Sequence, residues 1–270
     1  MEDMRHGVII TVFSTASAVG KTLVSINMAA ELAAEGYRVC LLDLDLQFGD
    51  IGNYLKLQPQ VTLADAQRAL AKDAAHFRAE AYLETYQKGE AAFSVLSAPL
   101  RLDEAYNIKT ACVERILQQL QGQFDYLVLD TTSAFSELNL AVMDRSTIVT
   151  FLGIVDFIPT IKNMKSGSDT LRGIGYDANK IRLVLNRSNS KTRIDLADVE
   201  KLLGEPFYHV LTNDFAAAQA SIQEGCPLVL TRREAGLAED LRHLVGRYTN
   251  RGPQEDEPMA EHSWLKRIFK

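Results

Sequence analysis

The chain has 270 residues, 47% hydrophobic and 24% charged, which is enough to bury one sizeable core as a single domain. Its formal net charge of −6 excludes a surface that is basic throughout, so we expect no nucleic-acid partner. Three cysteines in apolar neighbourhoods, without a C-x-x-C pair, favour buried free thiols in a reducing cytosol. No apolar run is long enough to span a bilayer, so we expect the bulk of the chain to be soluble.

The first predicted elements are a strand and a helix joined by a short turn. Residues 7–13 are rich in β-branched side chains, as is typical of a buried strand, and apolar residues recur at helical spacing after Thr22. The turn between them, 14–22, reads S-T-A-S-A-V-G-K-T. A phosphate there would meet backbone N–H groups, the positive end of the helix dipole and the Lys21 ammonium. The Thr22 hydroxyl could bind a magnesium ion that bridges the phosphates.

This turn departs from the full phosphate-binding motif G-x-x-x-x-G-K-[ST], because Thr15 stands at its first glycine. By itself, a Gly-Lys-Thr sequence could be an ordinary helix start. The strand before it, the helix after it and the acidic strand ends described below together favour nucleotide binding. The residues that we expect to contact the phosphates are Ser17, Ala18, Val19, Gly20, Lys21 and Thr22.

Strands and helices alternate along the rest of the chain, as is typical of repeated βα units. We expect further strands at 37–42, 92–96, 126–129, 147–154, 181–185 and 207–211. We expect helices at 62–71 (with helical composition continuing to 86), 108–120, 137–143, 159–171, 195–203, 215–224 and 234–248. This order predicts an α/β fold, a mainly parallel twisted sheet with helices on both faces. Ligands in such folds bind beyond the carboxyl ends of the strands.

Three aspartates stand at predicted strand ends. Asp43 and Asp45 follow the second strand, and Asp130 follows the strand at 126–129. Carboxylates beside a phosphate loop can hold magnesium through its water ligands, and one of them can orient the water that attacks the γ-phosphate. Each aspartate alone could instead be a helix cap or a turn residue. In combination with Lys21 and Thr22, a metal site is the favoured interpretation.

With these residues the chain resembles the MinD/ParA family of P-loop ATPases over nearly its whole length. The loop of that family, K-G-G-x-G-K-T, also lacks the first glycine of the usual motif. The segment 41–50, L-L-D-L-D-L-Q-F-G-D, is most similar to the CpaE/TadZ branch, and 96–99 and 184–187 fit the same branch. Members of this branch position the assembly machinery of Tad-type pili.

The resemblance implies ATP and Mg²⁺ as ligands and a homodimer bridged by ATP. Lys21 and Thr22 would then hold phosphate and magnesium, Asp43 and Asp130 the waters of the metal, and Asp45 the catalytic water. The resemblance also implies a partner in pilus or other positioning machinery.

On the adenine side, the resemblance assigns a hydrogen bond to Asn186, with Arg187 beside it in the nucleotide site. The chain departs from the family where the signature lysine, which reaches the partner's phosphates, aligns with Ala16. The next two glycines are Ser17 and Ala18, which a phosphate cradle tolerates if those positions need no positive φ. Loss of a comparable cation costs ~10³–10⁵ in rate where arginine fingers are removed. We therefore expect ATP binding with weak or absent hydrolysis.

Residues 250–270 differ in character from the domain, which we place at 1–249. Residues 250–261 contain four acids, a glycine and two prolines, as is typical of a flexible linker. In 262–270 a helical wheel separates an apolar side from a basic side, namely Trp264, Leu265, Ile268 and Phe269 against Lys266, Arg267 and Lys270. This segregation and a resemblance to the membrane-targeting segment of MinD predict binding to an anionic membrane. The alternatives are an unstructured end or a helix docked on the domain.

These features together predict a cytoplasmic ATP-binding positioning protein, peripheral on the inner membrane and closest to CpaE/TadZ. One alternative is a MinD-type ATPase that hydrolyses ATP and positions the divisome or flagella. Another is a ParA-type DNA-partition protein, supported by the basic residues Arg187, Lys191 and Arg193. A metabolic kinase is a more distant alternative, because no acceptor site is visible.

Overall fold

The computed structural model describes residues 6–156, 158–177, 179–188 and 194–250, and in these ranges eight strands form one sheet. The strands are β1 (Val8–Phe13), β2 (Val39–Asp43), β3 (Glu84–Lys88), β4 (Ala91–Leu96), β5 (Tyr126–Asp130), β6 (Ile148–Gly153), β7 (Ile181–Leu185) and β8 (His209–Val210). Their order across the sheet is β3-β4-β2-β5-β1-β6-β7-β8. Only the β3–β4 pair among these is antiparallel. The sheet is therefore mainly parallel, as predicted.

The α-helices of the described residues connect these strands. They are α1 (Lys21–Ala34), α2 (Ile51–Leu55), α3 (Leu63–Lys72), α4 (Leu102–Ala105), α5 (Thr110–Gln121), α6 (Glu137–Arg145), α7 (Ile158–Gly173), α8 (Leu196–Leu203), α9 (Phe215–Glu224), α10 (Leu228–Thr231) and α11 (Gly236–Tyr248). None of the helices in these ranges is both long and apolar enough to cross a membrane.

Strand β1 lies in the middle of the sheet, between β5 and β6, and its side chains alternate between two buried faces. Ile10 and Val12 join the apolar cluster that includes residues of α1 and α11. Ile9 joins a second cluster with α3 and α5, and Phe13 a third with α7 and α8. Because both faces are covered, residues 9–13 are all buried, which is why the sequence of the strand is mostly apolar and β-branched.

The structure corrects the expectation that helical structure continues to residue 86. Helix α3 ends at Lys72, a 3₁₀ turn spans Ala79–Tyr82, and β3 pairs with β4 at the sheet edge. Strand β3 reads E-T-Y-Q-K and buries only Tyr86, so its polar composition did not indicate a strand. The short helices α2, α4 and α10 were also not predicted. Of the three thiols expected to be buried, Cys112 and Cys226 are only partly so.

The parallel arrangement brings three strand ends to the same edge of the sheet. Strand β5 pairs with both β1 and β2, and Asp43 is the register partner of Asp130. The residues that follow β1 begin the turn to α1. The two aspartates and this turn, which are far apart in sequence, therefore lie next to one another.

Candidate nucleotide site

The turn after β1 leads directly into α1, which begins at Lys21. Gly20 precedes it with φ +94°, in the left-handed region that favours glycine. A Cβ atom at this position would lie 2.7 Å from Nδ2 of Asn186. Backbone conformation and space therefore both favour glycine at position 20, and phosphate binding by this turn stays a prediction.

Ala18 adopts an unfavourable backbone conformation in this turn, with φ +58°. The condition for tolerating Ser17 and Ala18, that neither needs a positive φ, therefore fails at Ala18. Left-handed backbone costs an L-residue roughly 1–2 kcal/mol. The loop keeps the conformation that a glycine would favour, although the residue there is alanine.

We expect Ala18→Gly to stabilise the protein by about 0.5–1 kcal/mol, because relief of the strain exceeds the extra unfolded-state entropy of glycine. Urea unfolding of the ligand-free protein measures this difference. The matched control is Gly36→Ala, which lies at φ +88° with open space around it and should be destabilised by a similar amount. A destabilised Ala18→Gly variant would contradict the strain at this position.

Lys21 connects the turn to the loop that follows β5. Its Nζ donates a hydrogen bond to Oγ of Ser133 at 2.9 Å, and this hydroxyl donates to the carbonyl of Ala16 at 2.8 Å. Burial lowers the pKa of Lys21, and the carboxylates of Asp130 and Asp45 partly offset this effect. A partly buried ammonium at the N-terminus of a helix is suited to a polyanion.

Asp43 and Asp130 form a pair of buried carboxylates at the ends of β2 and β5. Oδ1 of Asp43 accepts from the Asp45 N–H and Oδ2 from the Ile51 N–H, both at 3.2 Å. Burial, and then the charge of Asp130, raise the pKa of Asp43 well above its usual range. Burial also raises the pKa of Asp130 to about 6. Two adjacent carboxylates without enough neutralising charge are suited to a divalent cation.

Two hydroxyl groups of α1 bind Asp130 from the side of the phosphate loop. Oγ of Ser25 donates to Oδ1 of Asp130 at 3.1 Å and also to the carbonyl of Lys21 at 3.0 Å. A hydrogen bond from Thr22 lowers the pKa of Asp130, as does the charge of Lys21. Thr22 thus lies against the carboxylate with which it was predicted to share a magnesium ion.

A cavity of about 920 Å³ opens between these elements, a volume in the range of small-molecule sites. Its lining comes from the turn, the segment after β2, the loop after β5 and the end of β7. It includes Ser17, Ala18, Gly20, Lys21, Thr22, Asp45, Phe48, Tyr54, Thr132, Ser133 and Arg187. Asp45, the predicted catalytic residue, lines the cavity, and its Oδ1 accepts from the Phe48 N–H at 3.3 Å. The cavity therefore brings most of the predicted site residues together.

Asn186 and Arg187 contact the phosphate loop from the end of β7. Nδ2 of Asn186 donates to the carbonyl of Val19 at 2.8 Å, and its Oδ1 accepts from the Arg187 N–H at 2.9 Å. Nη2 of Arg187 donates to the carbonyl of Ala18 at 2.9 Å. Asn186 thus supports the loop here, and its hydrogen bond to adenine stays a prediction. The side chain of Val19 is buried in the core, so only its backbone faces the loop.

Sequence reasoning missed Ser25 and Ser133. Ser25 lies one helical turn after Lys21, on the face of α1 toward β5, and Ser133 ends the polar run 131–133 after Asp130. The polar run at a strand end was a signal that could have indicated Ser133. The signal for Ser25 was its i+4 spacing from Lys21.

The donor set fits a magnesium nucleotide. Asp43 and Asp130 supply anionic oxygens, Thr22 a hydroxyl, and Lys21 with the turn supplies groups for phosphate oxygens. Burial raises the pKa of both carboxyl groups and lowers the pKa of the ammonium, so each charge is held in the described structure at the cost of its hydration. A cation beside the carboxylates and phosphates beside the lysine would offset this cost.

Comparison with known proteins identifies the family of this chain. Residues 10–228 match the model of the CobQ/CobB/MinD/ParA nucleotide binding domain. The chain belongs to this family. It is 26% identical to the septum site-determining protein MinD of Synechocystis, in an alignment 244 positions long that covers 83% of each chain. The predicted MinD/ParA family is therefore confirmed, and the CpaE/TadZ branch stays a prediction.

Two solved structures of MinD/ParA proteins share this fold. A ParA family ATPase from Chlorobium tepidum superposes with a TM-score of 0.79 at 17% identity, over 89% of this chain and 98% of the other. MinD from Pyrococcus horikoshii in complex with Mg-ADP superposes with a TM-score of 0.75 at 20% identity, over 90% and 96%. The predicted P-loop NTPase fold is confirmed. The linker 250–261, beyond its first residue, and the segment 262–270 lie outside the described residues.

Proposed function

We propose that this chain binds ATP with Mg²⁺ and acts at a membrane as a nucleotide-dependent positioning protein of the CpaE/TadZ type. The observation that carries nucleotide binding is the meeting of Lys21, Thr22, Asp43 and Asp130 at one edge of the sheet. Membership of the CobQ/CobB/MinD/ParA family supports it. The pilus role rests on the similarity of segment 41–50 to that branch.

In this proposal, the N–H groups of the turn and the Lys21 ammonium hold the phosphates. Thr22 contacts the magnesium ion, and Asp43 and Asp130 hold its waters. The ion neutralises charge on the phosphates. Asp45 lies at the cavity wall, where its carboxylate would orient the attacking water.

Hydrolysis is weak or absent in this proposal, because Ala16 stands where the family carries its signature lysine. Introducing Ala16→Lys together with Ser17→Gly and Ala18→Gly should raise the ATPase rate by at least about tenfold, since a cation would then face the transferring phosphoryl group. Phosphate release under saturating ATP measures the rate, and Ser17→Gly with Ala18→Gly alone is the control. A wild type as fast as the triple variant would mean that another residue already supplies this charge.

Membrane binding in this proposal depends on dimerisation. One segment 262–270 offers four large apolar side chains, and burying each of them stabilises the bound state by at most about 1.5–3 kcal/mol. Ordering the backbone costs about 1–2 kcal/mol per residue. A single segment therefore binds weakly. Two segments on one ATP-bridged dimer gain ~10²–10⁴ in avidity, so ATP favours binding without changing the segment itself.

Pelleting with vesicles of phosphatidylglycerol and phosphatidylethanolamine tests this model. We expect more protein in the pellet with ATP than with ADP or without nucleotide, and less at high salt. Trp264→Glu and Phe269→Glu should each release the protein, and vesicles of phosphatidylcholine are the matched neutral surface. If deletion of 262–270 leaves ATP-dependent pelleting unchanged, the segment is not the anchor.

A MinD-type ATPase with real turnover is the second candidate, and the match to Synechocystis MinD over 83% of each chain favours it. The two candidates differ in the rate of ATP hydrolysis. In the CpaE/TadZ-type proposal the protein acts through its two nucleotide states and needs no rapid turnover. A rapid wild-type ATPase rate supports the MinD type. The ParA-type alternative depends on the basic residues Arg187, Lys191 and Arg193. Arg187 contacts the turn at Ala18, and Lys191 and Arg193 lie outside the described residues.

A further inference from the structure

A second cavity of about 380 Å³ lies at the other end of β7 from the nucleotide site. Arg182 is near the start of β7, whereas Arg187 of the nucleotide site follows its end. The wall also includes residues before β8 and the last turn of α11. The residues that matter are Arg182, Leu183, Glu205, Pro206, Tyr208 and Arg247. This cavity therefore belongs to neither the phosphate loop nor the acidic strand ends.

Two guanidinium groups meet on one aromatic ring in this cavity. The Cζ atom of Arg182 is 4.6 Å from the ring centroid of Tyr208, and that of Arg247 is 3.8 Å from it. Arg247 also donates a hydrogen bond to the carbonyl of Tyr208. The ring of Tyr208 is stacked on that of Tyr248 at 5.8 Å, so the platform that carries both charges is itself packed. The two arginines are thus held in place before any ligand arrives.

The charge of these arginines is not neutralised within the described part of the chain. Neither guanidinium pairs there with a carboxylate, and Glu205, the acidic residue of the lining, pairs with Arg172 instead. The positive charge stands out in a protein of formal net charge −6. Two like charges against one aromatic ring favour a ligand that carries compensating negative charge.

The chemistry of that ligand follows from the two guanidinium groups. Guanidinium groups bind phosphate and carboxylate oxygens in bidentate geometry. A phosphomonoester carries about −1.5 to −2 charges at neutral pH and matches two arginines, whereas one carboxylate neutralises only one of them. Leu183 and Pro206 add apolar wall for an organic part of the ligand.

We propose that this cavity binds a small phosphorylated molecule, with its phosphate between Arg182 and Arg247 and its carbon portion against the apolar wall. It is a second ligand site, separate from the nucleotide site and independent of the function proposed above. Arg182 and Arg247 bind the phosphate, and Tyr208 positions both guanidinium groups.

The test compares phenyl phosphate with phenyl sulfate, which has a similar shape but a single negative charge, by calorimetry on the full chain. We expect phenyl phosphate to bind about tenfold or more tightly than phenyl sulfate, and Arg182→Gln or Arg247→Gln to weaken it by about tenfold or more. The control Arg115→Gln removes an exposed arginine of α5 and should leave the affinity within about twofold. Any phenyl phosphate that binds at the nucleotide site binds there equally in all variants, so the difference in affinity between the variants reports this cavity.

Arg182→Gln removes no side-chain hydrogen bond or ion pair of the described structure, and it loses only the contact with the ring of Tyr208. Thermal unfolding without ligand checks that the variant folds. Equal affinity of Arg182→Gln and Arg115→Gln would overturn the proposal, as would phenyl sulfate binding as tightly as phenyl phosphate. Deleting 251–270, which includes four acidic residues, is the last arm. Phenyl phosphate binding that appears only after this deletion would mean that the chain itself supplies the anion, and would also overturn the proposal.

Discussion

Replacing Lys21 by alanine is expected to weaken ATP binding by at least about 100-fold while the protein remains folded. The ammonium lies at the start of α1 in the wall of the large cavity, where it is the charged donor of the phosphate loop. The described structure would lose its side-chain hydrogen bond to Ser133 and its charge interactions with Asp130 and Asp45. Because burial already disfavours this charge, its removal should cost little stability.

Calorimetry with ATP and Mg²⁺ measures the loss, and circular dichroism checks the fold. Lys72→Ala, which removes an exposed lysine at the end of α3, is the matched control and should bind ATP like the wild type. Thr22→Ala should weaken binding mainly when magnesium is present, since we propose that its hydroxyl binds the metal. Equal ATP affinity of Lys21→Ala and the wild type would contradict the site.

Asp130→Asn is expected to have opposite effects on stability and on magnesium-dependent binding. In the ligand-free protein it should raise the free energy of unfolding at pH 7.5 by about 1–3 kcal/mol, because it removes a carboxylate that burial keeps from ionising easily. It should also reduce the gain in ADP affinity that magnesium provides by about tenfold or more.

The pH dependence of unfolding tests separately whether ionisation of Asp130 destabilises the folded protein. The pKa of Asp130 is raised to about 6 in the folded protein, above the value of about 4 for an unfolded aspartate. The folded state therefore binds the proton more tightly, and the stability that this contributes is full below about pH 4 and is lost as the pH rises to about 6. Asp43 has its pKa raised in the same direction. Asp130→Asn should flatten this decline.

Urea unfolding between pH 4 and pH 8, without nucleotide and magnesium, measures the decline in both proteins. Glu90→Gln makes the same change from carboxylate to amide at an exposed turn and should alter neither stability nor magnesium dependence. A variant that keeps the full effect of magnesium on ADP affinity would show that Asp130 does not act on the metal. Unchanged pH dependence would show that its burial does not disfavour ionisation.

The sequence alone sufficed for the strand, turn and helix at 7–34 and for the acidic strand ends. An apolar β-branched run, a turn with Gly20 and Lys21, and an amphipathic helix are local patterns, and each depends on residues close in the chain. The positions of Asp43 and Asp130 followed from strand ends, because parallel strands end at the same edge of a sheet. Alternation of strands and helices was enough for the mainly parallel sheet.

Only the tertiary structure decided which side chains complete the site. The contacts of Lys21 with Ser133 and of Arg187 with Ala18 join residues 112 and 169 positions apart, and no local pattern encodes such pairs. The positive φ of Ala18 is imposed by the loop against the preference of the residue. Strand β3 forms through pairing with β4, not through its own polar composition. The meeting of Arg182 and Arg247 on Tyr208 likewise depends on how β7, β8 and α11 pack, because charge and aromatic contacts between distant segments exist only once the chain has folded.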